Sequence, residues 1–320
     1  MKVLIGSNPM GLEKAIPDLQ VKYPDVTFEH CPERDKTTEA IADADVYVGW
    51  MNRDVFLAAK KLKWVQSPSS GINYYLAIPE FVEGDVLLTS ARGTHGACLA
   101  ESVFAMILAY TRGICSSLEL QAKKEYSTRK VRGGLLELTD MTLGIVGLGM
   151  VGRSVAERAA AFNMNIIAVD MFPNNKPEYV SELWGLDRLD EMLGVADFVV
   201  VTVPYTPDTD HMIGAEQIGA MKETAMLVGI SRGKIIDEAA LAAALHDGKL
   251  AFAALDVFAH EPLPEDDPLW DAPNLIITPH AAGGTQYEGK YILEILYENL
   301  AKFLSGDLPL RNQIDKVRGF

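Results

Sequence analysis

The chain is poor in cysteine, has no excess of positive charge and contains no long apolar run. Its 320 residues include only 3 cysteines, Cys31, Cys98 and Cys115, which are odd in number and form no C-x-x-C motif. This usage argues against a disulfide framework and against a zinc site. We therefore expect no metal site, and we expect all three cysteines to be packing residues in a reducing compartment.

The charge and the apolar pattern exclude two further classes of partner. A formal net charge of −15 repels nucleic acid and anionic membrane surfaces. No apolar run reaches membrane-spanning length, and the chain opens directly on a predicted strand at Lys2, which leaves no room for a signal peptide. We expect a cytoplasmic protein that binds neither nucleic acid nor a membrane.

What the chain does contain is typical of a globular α/β protein with two domains, each burying its own core. Short β-rich runs alternate with helical patterns in two series, which predicts parallel sheets with crossover helices. The first series predicts strands at 2–6, 26–30, 45–50, 63–67 and 86–91. The second predicts six strands, at 142–147, 165–170, 197–203, 225–231, 250–256 and 274–278. An apolar helix is expected at 99–110, buried or at a subunit interface, and an amphipathic helix at 286–304.

A glycine-rich turn between a predicted strand and a predicted helix is the most informative motif. Gly147, Gly149 and Gly152 have the spacing G-x-G-x-x-G. In a dinucleotide-binding turn the first glycine permits the tight turn, the second lets a pyrophosphate approach the backbone, and the third lets the helix pack closely. The helix N-terminus would face the phosphates with unpaired N–H groups. The bare pattern is a weak signal, because glycine-rich turns are common.

The next predicted strand ends in Asp170, at about the distance from the glycines at which a carboxylate meets the adenosine ribose. Such a carboxylate bonds the ribose hydroxyls and repels a 2′-phosphate, which favours NAD over NADP. Two alternatives remain. Asp170 could be a solvated turn residue, or Lys176, close to it in sequence, could accept the 2′-phosphate of NADP.

Four chemically active side chains follow predicted strands of the second series. They are Arg232, Asp256, Glu261 and His280. Because ligands of open α/β sheets bind along the carboxyl edge of the strands, we expect these side chains to meet at one site.

Five ordered motifs, spread over nearly the whole chain, resemble those of the D-isomer-specific 2-hydroxyacid dehydrogenases. They are residues 66–73, the helix with Ala100-Glu101, the glycine-rich turn, residues 203–209, and the segments with Arg232, Glu261 and His280. The resemblance implies an α/β fold of two doubly wound parallel-sheet lobes with a cleft between them. A Rossmann dinucleotide-binding domain at 98–291 would be inserted in a flavodoxin-like substrate domain at 1–97 and 292–320. The resemblance also implies a homodimer.

The family reaction is hydride transfer between NAD(H) and a small 2-oxo acid or D-2-hydroxy acid. It needs a hydride donor, a cation for the carboxylate and an acid that protonates the carbonyl oxygen. The planar, permanently charged fork of Arg232 suits the carboxylate, although a surface salt bridge is the alternative. By resemblance His280 is the acid, and Glu261 bonds its ring and favours imidazolium. His95 is a weaker candidate for the same site.

The resemblance assigns further cofactor contacts to the turn and to the loops after the strands. They are Met150, Val151, Val203, Pro204, Thr209, Ile230, Ser231, Asp256 and Gly283. Asp256 is expected to approach the nicotinamide. The alternative is that it caps the loop that carries Glu261.

The substrate lobe is less informative. By resemblance the turn at 69–72 presents backbone N–H groups to the substrate carboxylate, so Ser70 and Gly71 join Arg232 and His280 as substrate-binding candidates. Trp50 and Met51 end a predicted strand and could form a wall for a small or apolar side chain, although a tryptophan there is more often core. Arg53 could instead recognise a second anionic group.

Two other functions remain open on the residues alone. Some proteins that resemble this family sense dinucleotides and act as corepressors. Phosphite oxidation uses a similar set of Arg, Glu and His. Formate dehydrogenases that resemble this chain have glutamine at the position of Glu261, which disfavours formate.

Overall fold

The computed structural model describes residues 1–7 and 10–319. The chain forms two compact units. The first combines the residues up to Thr94 with those from Thr285 onward, and the second is the continuous segment His95–Gly284. The boundaries predicted from the sequence lie between residues 97 and 98 and between residues 291 and 292.

The first unit is built on a sheet of five parallel strands. These are β1 (Lys2–Ile5), β2 (Thr27–His30), β3 (Val46–Val48), β4 (Trp64–Gln66) and β5 (Leu87–Thr89). Their order is β2-β1-β3-β4-β5, which is that of flavodoxin-like sheets. All five predicted strands are present, each shorter than predicted. The central strands β3 and β4 are buried at every position, because helices cover both faces of a parallel sheet.

Short helices connect these strands. They are α1 (Ile16–Lys22), α2 (Thr37–Ala40), α3 (Arg53–Ala58), α4 (Asn73–Leu76) and α5 (Pro79–Glu83). Asn52 begins α3 as an N-cap, since its side chain accepts a hydrogen bond from the Val55 N–H at 3.0 Å.

The second unit contains a sheet of seven parallel strands. These are β6 (Thr142–Val146), β7 (Asn165–Val169), β8 (Glu182–Trp184), β9 (Phe198–Val201), β10 (Met226–Gly229), β11 (Phe252–Leu255) and β12 (Leu275–Ile277). Their order, β12-β11-β10-β9-β6-β7-β8, is the Rossmann order extended by β12. The predicted number of six strands was wrong, because β8 is a short edge strand of three residues without an apolar run.

Seven α-helices are formed by the described residues of the second unit. They are α6 (Gly96–Thr111), α7 (Ile114–Ala122), α8 (Thr128–Arg132), α9 (Met150–Ala161), α10 (Leu189–Val195), α11 (Ala215–Ala220) and α12 (Glu238–His246). The apolar segment predicted at 99–110 lies in α6, where Val103 and Ile107 are fully buried. Glu101 is on the exposed face of α6 and forms an ion pair of 3.3 Å with Arg158 of α9.

The last helix, α13 (Glu288–Ser305), belongs to the first unit and confirms the amphipathic helix predicted there. Its buried side chains Ile292, Leu296 and Leu300 recur at helical spacing and share a core with Val3 of β1. Gly306 ends the helix with a left-handed φ of 74°, a conformation that glycine adopts readily.

Among the described residues, no single helix is both long and apolar enough to cross a membrane. Only α6 and α7 taken together have the required length and composition, and the two are bent by 64°.

The strands of the second unit end in register at one edge. Val146 pairs with Val201, Gly229 pairs with Leu255, and Leu255 pairs with Ile277. The loops that follow these strands therefore emerge side by side, which brings together residues distant in sequence.

Candidate active site

Three glycines shape the turn between β6 and α9, each for a different reason. Gly147 has a φ of 95°, and a Cβ there would lie 2.8 Å from Val203 Cγ1. A Cβ on Gly152 would lie 2.1 Å from the carbonyl oxygen of Gly147, so only glycine lets α9 approach so closely. A Cβ on Gly149 would meet no described atom within 4 Å. The space before Gly149 is open, as a turn that receives a pyrophosphate requires.

Thr202, which follows β9, holds this turn. Its hydroxyl donates to the Gly147 carbonyl at 2.6 Å. Sequence reasoning missed this residue, because a threonine at the end of a strand carries no signal of its own.

Asp170 follows β7 beside the glycine-rich turn. One carboxylate oxygen accepts from the Leu148 N–H at 2.7 Å, and the other accepts from the Phe172 N–H at 2.8 Å. The two bonds fix the half-buried carboxylate next to the turn, where a ribose-binding residue is expected.

Two cationic side chains, one within the loop and one from α9, donate hydrogen bonds to the loop after β7. Lys176 Nζ donates to the Val180 carbonyl at 2.6 Å. Arg153, in the first turn of α9, donates to the Asn175 carbonyl at 2.9 Å. Sequence analysis considered Lys176 and missed Arg153, because the contact between α9 and this loop cannot be read from spacing.

Arg232 follows β10 and lies against the loop after β11. Its Nη1 donates to the Ser231 carbonyl at 2.6 Å. A Cβ on Gly233 would lie 2.0 Å from the carbonyl of Phe258, so the two loops touch through their backbones. The glycine thus brings Arg232 next to the loop that carries Glu261.

His280 and Glu261 form a direct pair. His280 Nδ1 and Glu261 Oε2 are 2.6 Å apart, and the side chains are 48% and 34% exposed. The other carboxylate oxygen of Glu261 accepts from the Phe258 N–H at 2.9 Å, which orients it. Because Nδ1 faces the carboxylate, Nε2 is the ring nitrogen that is placed to exchange a proton with a ligand.

Asp256 fixes the backbone around His280. Asp256 is only 1% exposed. It accepts hydrogen bonds from the Thr278 hydroxyl at 2.6 Å, the Ala281 N–H at 2.9 Å and the Ala282 N–H at 3.0 Å. These bonds hold His280 at a φ of 51°, which is unusual for a residue other than glycine. The geometry favours a positioning role for this carboxylate, whereas the sequence suggested a nicotinamide contact or a cap on a different loop.

Glu238, the first residue of α12, holds the loop that carries Glu261. Its carboxylate accepts from the Ala259 N–H at 2.6 Å. Burial raises the pKa of Glu238 above its ordinary value, and the hydrogen bond from Ala259 opposes the shift only in part. Sequence analysis gave Glu238 no role.

The raised pKa of Glu238 predicts how Glu238→Gln affects thermal stability. Folding favours the protonated carboxyl, so wild-type stability decreases as the pH rises through the raised pKa. Glutamine keeps an acceptor for Ala259 and carries no charge. The melting temperature of the variant relative to wild type should therefore increase from pH 5 to pH 8.

Glu191→Gln is the matched control for this measurement. A hydrogen bond from Arg188 lowers the pKa of Glu191, so its contribution is already complete at pH 5. Its melting-temperature difference should stay constant from pH 5 to pH 8. A constant difference for Glu238→Gln as well would contradict the prediction.

His95 directly precedes α6 and lies beside the loop after His280. Its Cδ2 is 3.4 Å from the position of a Cβ on Gly283. Cys98 Sγ lies 3.2 Å from the Gly283 carbonyl oxygen, which ties α6 to the same loop. Burial, and then the charge of Arg232, lower the pKa of His95. A neutral imidazole is thus favoured next to Arg232.

Other predicted cofactor residues line the turn and the strand ends. Met150 is exposed at the first position of α9, and Val151 is half-buried after it. Val203 lies against Gly147 and, like Ser231, is half-buried.

The side chains of Thr209 and Ile230 are less available to a cofactor than predicted. Thr209 is buried, and its hydroxyl accepts from the Thr206 N–H and donates to the Pro204 carbonyl, both at 2.8 Å. That hydroxyl is used within its own turn. The Ile230 side chain belongs to the core of the second unit, so a cofactor contact there would use its backbone.

The predicted substrate residues of the first unit differ in accessibility. Ser70 Oγ donates to the Ala91 carbonyl at 3.2 Å, and the Gly71 N–H donates to Ser69 Oγ at 3.1 Å. Trp50 is exposed in part. Met51 is only 3% exposed and packs in the core of this unit, so its side chain does not form the predicted wall.

Metal-ligating side chains are dispersed. Within residues 1–7 and 10–319, no group of three or more His, Cys, Asp or Glu side chains is arranged to hold a metal ion. Cys31 is buried, and Cys98 and Cys115 are half-buried.

Residues 104–282 match the family model described as "D-isomer specific 2-hydroxyacid dehydrogenase, NAD binding domain". This match covers more than half of the 320 residues. The chain belongs to the D-isomer specific 2-hydroxyacid dehydrogenase family. The matched region contains the glycine-rich turn, Asp170 and the loops that carry Arg232, Glu261 and His280, so the resemblance read from the motifs is confirmed.

Individual members of the dehydrogenase family are similar over most of this chain. The D-3-phosphoglycerate dehydrogenase of Methanocaldococcus jannaschii is 37% identical over 86% of the chain, which spans only 52% of that relative. The glyoxylate reductase of Korarchaeum cryptofilum is 34% identical over 90% of this chain and 89% of its own.

A solved structure extends the comparison to the fold. It is an NADPH-dependent glyoxylate/hydroxypyruvate reductase from Sinorhizobium meliloti in complex with NADP and sulfate. Its TM-score is 0.84 at 28% identity, with 100% of this chain and 99% of that chain covered. The α/β fold predicted for this dehydrogenase family, with two parallel sheets, is therefore confirmed.

Proposed function

We propose that the protein is an NAD-dependent dehydrogenase that interconverts a small 2-oxo acid and the corresponding D-2-hydroxy acid. The observation that carries this proposal is the His280–Glu261 pair, with 2.6 Å between Nδ1 and Oε2, in the unit that holds the glycine-rich turn. The neighbouring Arg232 loop supplies a permanent cation.

The residues of the second unit suit a dinucleotide. The open space before Gly149 and the N-terminus of the 12-residue helix α9 would hold the pyrophosphate. Asp170 would bind the adenosine ribose. Bound nicotinamide supplies or accepts the hydride. Gly147, Gly152 and Asp256 act by shaping the turn and the His280 loop around that position.

Three side chains do the remaining chemistry in this proposal. Arg232 binds the substrate carboxylate with its planar fork and stabilises the negative charge that develops on the carbonyl oxygen. His280 donates a proton to that oxygen from Nε2 in the reductive direction and accepts it in the oxidative direction. Glu261 stabilises imidazolium before the proton leaves.

The first unit has its own residues proposed for substrate binding. Ser70 and Gly71 lie in the turn after β4, at the carboxyl edge of the first sheet, and would bind the carboxylate. Trp50 would contact the rest of the substrate.

Asp170→Ala tests the preference for NAD. The substitution removes the ribose bonds and the repulsion of a 2′-phosphate together, so the ratio of kcat/KM for NADH to that for NADPH should fall about tenfold or more. Steady-state kinetics with one oxo acid and each cofactor measure this ratio.

Lys176→Ala is the matched control, since Lys176 Nζ is engaged by the Val180 carbonyl. It should leave the cofactor ratio nearly unchanged. If the wild type already prefers NADPH, the proposal for NAD is wrong, and Lys176→Ala and Arg153→Ala then show which cation recognises the 2′-phosphate.

The function itself is tested with a panel of 2-oxo acids and NADH or NADPH, run beside phosphite with NAD. Turnover of an oxo acid to the D-hydroxy acid supports the proposal and excludes a binding module without catalysis. Turnover of phosphite alone would overturn it.

A homodimer in the cytoplasm is part of this proposal. Ile114 and Leu118 of α7 are exposed apolar side chains, and Tyr126 after it is almost fully exposed. A second copy would cover such a surface. Light scattering of the purified protein measures the number of subunits. The low cysteine content favours the cytoplasm as a reducing compartment.

A further inference from the structure

Two side chains on one face of α6 reach the loop that follows His280. Ser102 Oγ donates to the Ala282 carbonyl at 3.1 Å, and Cys98 Sγ donates to the Gly283 carbonyl at 3.2 Å. Cys98 and Ser102 are one helical turn apart, so they lie on the same face of the helix. Two successive carbonyls of the loop are therefore bonded to two successive turns of α6.

The N–H groups of the same loop are bonded to Asp256. Its carboxylate accepts from the Ala281 N–H at 2.9 Å and from the Ala282 N–H at 3.0 Å. Ala282 is only 6% exposed, and the loop belongs to no helix or strand, so its polar backbone groups need side-chain partners. Asp256 supplies the acceptor for Ala282, and Ser102 supplies the donor.

The conformation of His280 depends on this loop. Its φ of 51° is unusual for a residue other than glycine. Such a backbone conformation persists only where the surrounding structure holds it. Release of the loop at Ala282 would let the backbone relax and would change the direction of the imidazole, which is paired with Glu261 at 2.6 Å.

The helix that holds this loop also contacts the start of α9. A Cβ on Gly96, the first residue of α6, would lie 2.7 Å from Ser154 Oγ and 3.7 Å from the Met150 carbonyl oxygen. Helix α6 thus begins against the first residues of α9, the helix that follows the glycine-rich turn. It therefore joins the His280 loop to the helix whose N-terminus is proposed to hold the pyrophosphate.

We propose that Ser102 and Cys98 are positioning residues that hold His280 in the orientation required for proton transfer. This inference rests on the proposed function and adds two residues to it. Both act through the loop backbone, by bonding the carbonyls of Ala282 and Gly283. A displacement of a reacting group by about 1 Å lowers the rate about a hundredfold. Loss of one of these bonds should therefore lower kcat more than it changes the binding of substrate or cofactor.

Steady-state kinetics with NADH and the oxo acid that wild type reduces best test the role of Ser102. Ser102→Ala should lower kcat about tenfold, because the imidazole loses its orientation. KM for the oxo acid and Kd for NADH should change by less than about twofold. Ser102→Thr keeps the hydroxyl and should retain the wild-type kcat.

Cys98 is tested in the same way. A thiol is a weaker donor than a hydroxyl, so Cys98→Ala should lower kcat by a smaller factor, about fivefold. Cys98→Ser supplies a stronger donor in the same place and should retain kcat. If Ser102→Ala does not fold, this second pair of variants decides the outcome.

Thr111→Val is the matched control on the same helix. Thr111 Oγ1 donates to the Ile107 carbonyl at 2.9 Å, at the far end of α6 from the His280 loop. The variant should have a lower melting temperature and an unchanged kcat. Hydrogen exchange read by mass spectrometry reports on the loop directly. Residues 278–284 should exchange about tenfold faster in Ser102→Ala than in wild type or Thr111→Val.

The exchange measurement keeps this test separate from that of the proposed function. If wild type reduces no oxo acid, the proposed function fails, and faster exchange in Ser102→Ala still supports the hold of α6 on the His280 loop. If wild type is active and Ser102→Ala has the same kcat, the inference is overturned while the function stands. Equal losses of kcat in Ser102→Ala and Thr111→Val overturn it as well, since both would then reflect stability alone. Circular dichroism confirms that each variant is folded.

Discussion

Replacing His280 by alanine should lower the rate of 2-oxo acid reduction about 10²- to 10⁴-fold, the range expected when a positioned proton donor is lost. His280 Nδ1 is paired with Glu261 at 2.6 Å, and in the proposed mechanism Nε2 protonates the carbonyl oxygen. Single-turnover and steady-state kinetics measure the loss. Binding of NADH, followed by its fluorescence, should remain nearly intact, because the glycine-rich turn does not depend on the imidazole.

Two further variants test the role assigned to His280. His246→Ala removes an exposed histidine at the end of α12 and should leave turnover unchanged. Glu261→Gln removes the carboxylate that is paired with the His280 ring at 2.6 Å, so the rate of 2-oxo acid reduction should fall. Normal turnover by His280→Ala would refute the role of His280, and normal turnover by Glu261→Gln would refute the role of its partner.

Replacing Arg232 by glutamine should lower kcat/KM for the oxo acid about 10²- to 10³-fold, comparable with the loss of one donor to a developing oxyanion. The side chain is the permanent cation of the loop that touches the Glu261 loop through Gly233, and glutamine cannot supply its charge or its fork. The effect should appear in both KM for the oxo acid and kcat, because in the proposed mechanism the guanidinium binds the carboxylate and stabilises the carbonyl oxygen.

Arg232→Lys separates charge from geometry. Lysine keeps the positive charge and loses the bidentate fork, so its activity should lie between those of wild type and Arg232→Gln. The dissociation constant for NADH serves as the control and should change by less than about threefold, a small free-energy difference. Equal loss of NADH binding and of turnover would place Arg232 in the cofactor site instead.

The sequence predicted most of the strands and the glycine-rich turn because these depend on local signals. Apolar runs bounded by turns mark eleven strands. The spacing of Gly147, Gly149 and Gly152 predicts that each position requires glycine for a different reason, and the contacts around the three glycines support this prediction. The edge strand β8 was missed because its three residues include exposed Glu182 and lack periodicity.

The sequence was less informative about which polar groups face a ligand and which hold a loop. Asp256 was expected near the nicotinamide, and the structure adds that its buried carboxylate is bonded to the His280 loop. Met51 was expected at a pocket wall and packs in the core. Such distinctions depend on burial and on contacts between segments distant in sequence, which a single chain without its fold does not reveal.

The first unit is built from two segments of the chain that are separated in sequence by the second unit, and this arrangement reverses the usual order of folding during synthesis. Domains generally fold as units, N-terminal first, as the chain leaves the ribosome. Here the second unit is continuous and has all its strands once Gly284 has emerged. The first sheet is made earlier, but its core includes Ile292 and Leu296 of α13. Until the last helix is translated, the oldest strands of the nascent chain keep an apolar face exposed, and a chaperone that binds apolar segments would find its target there.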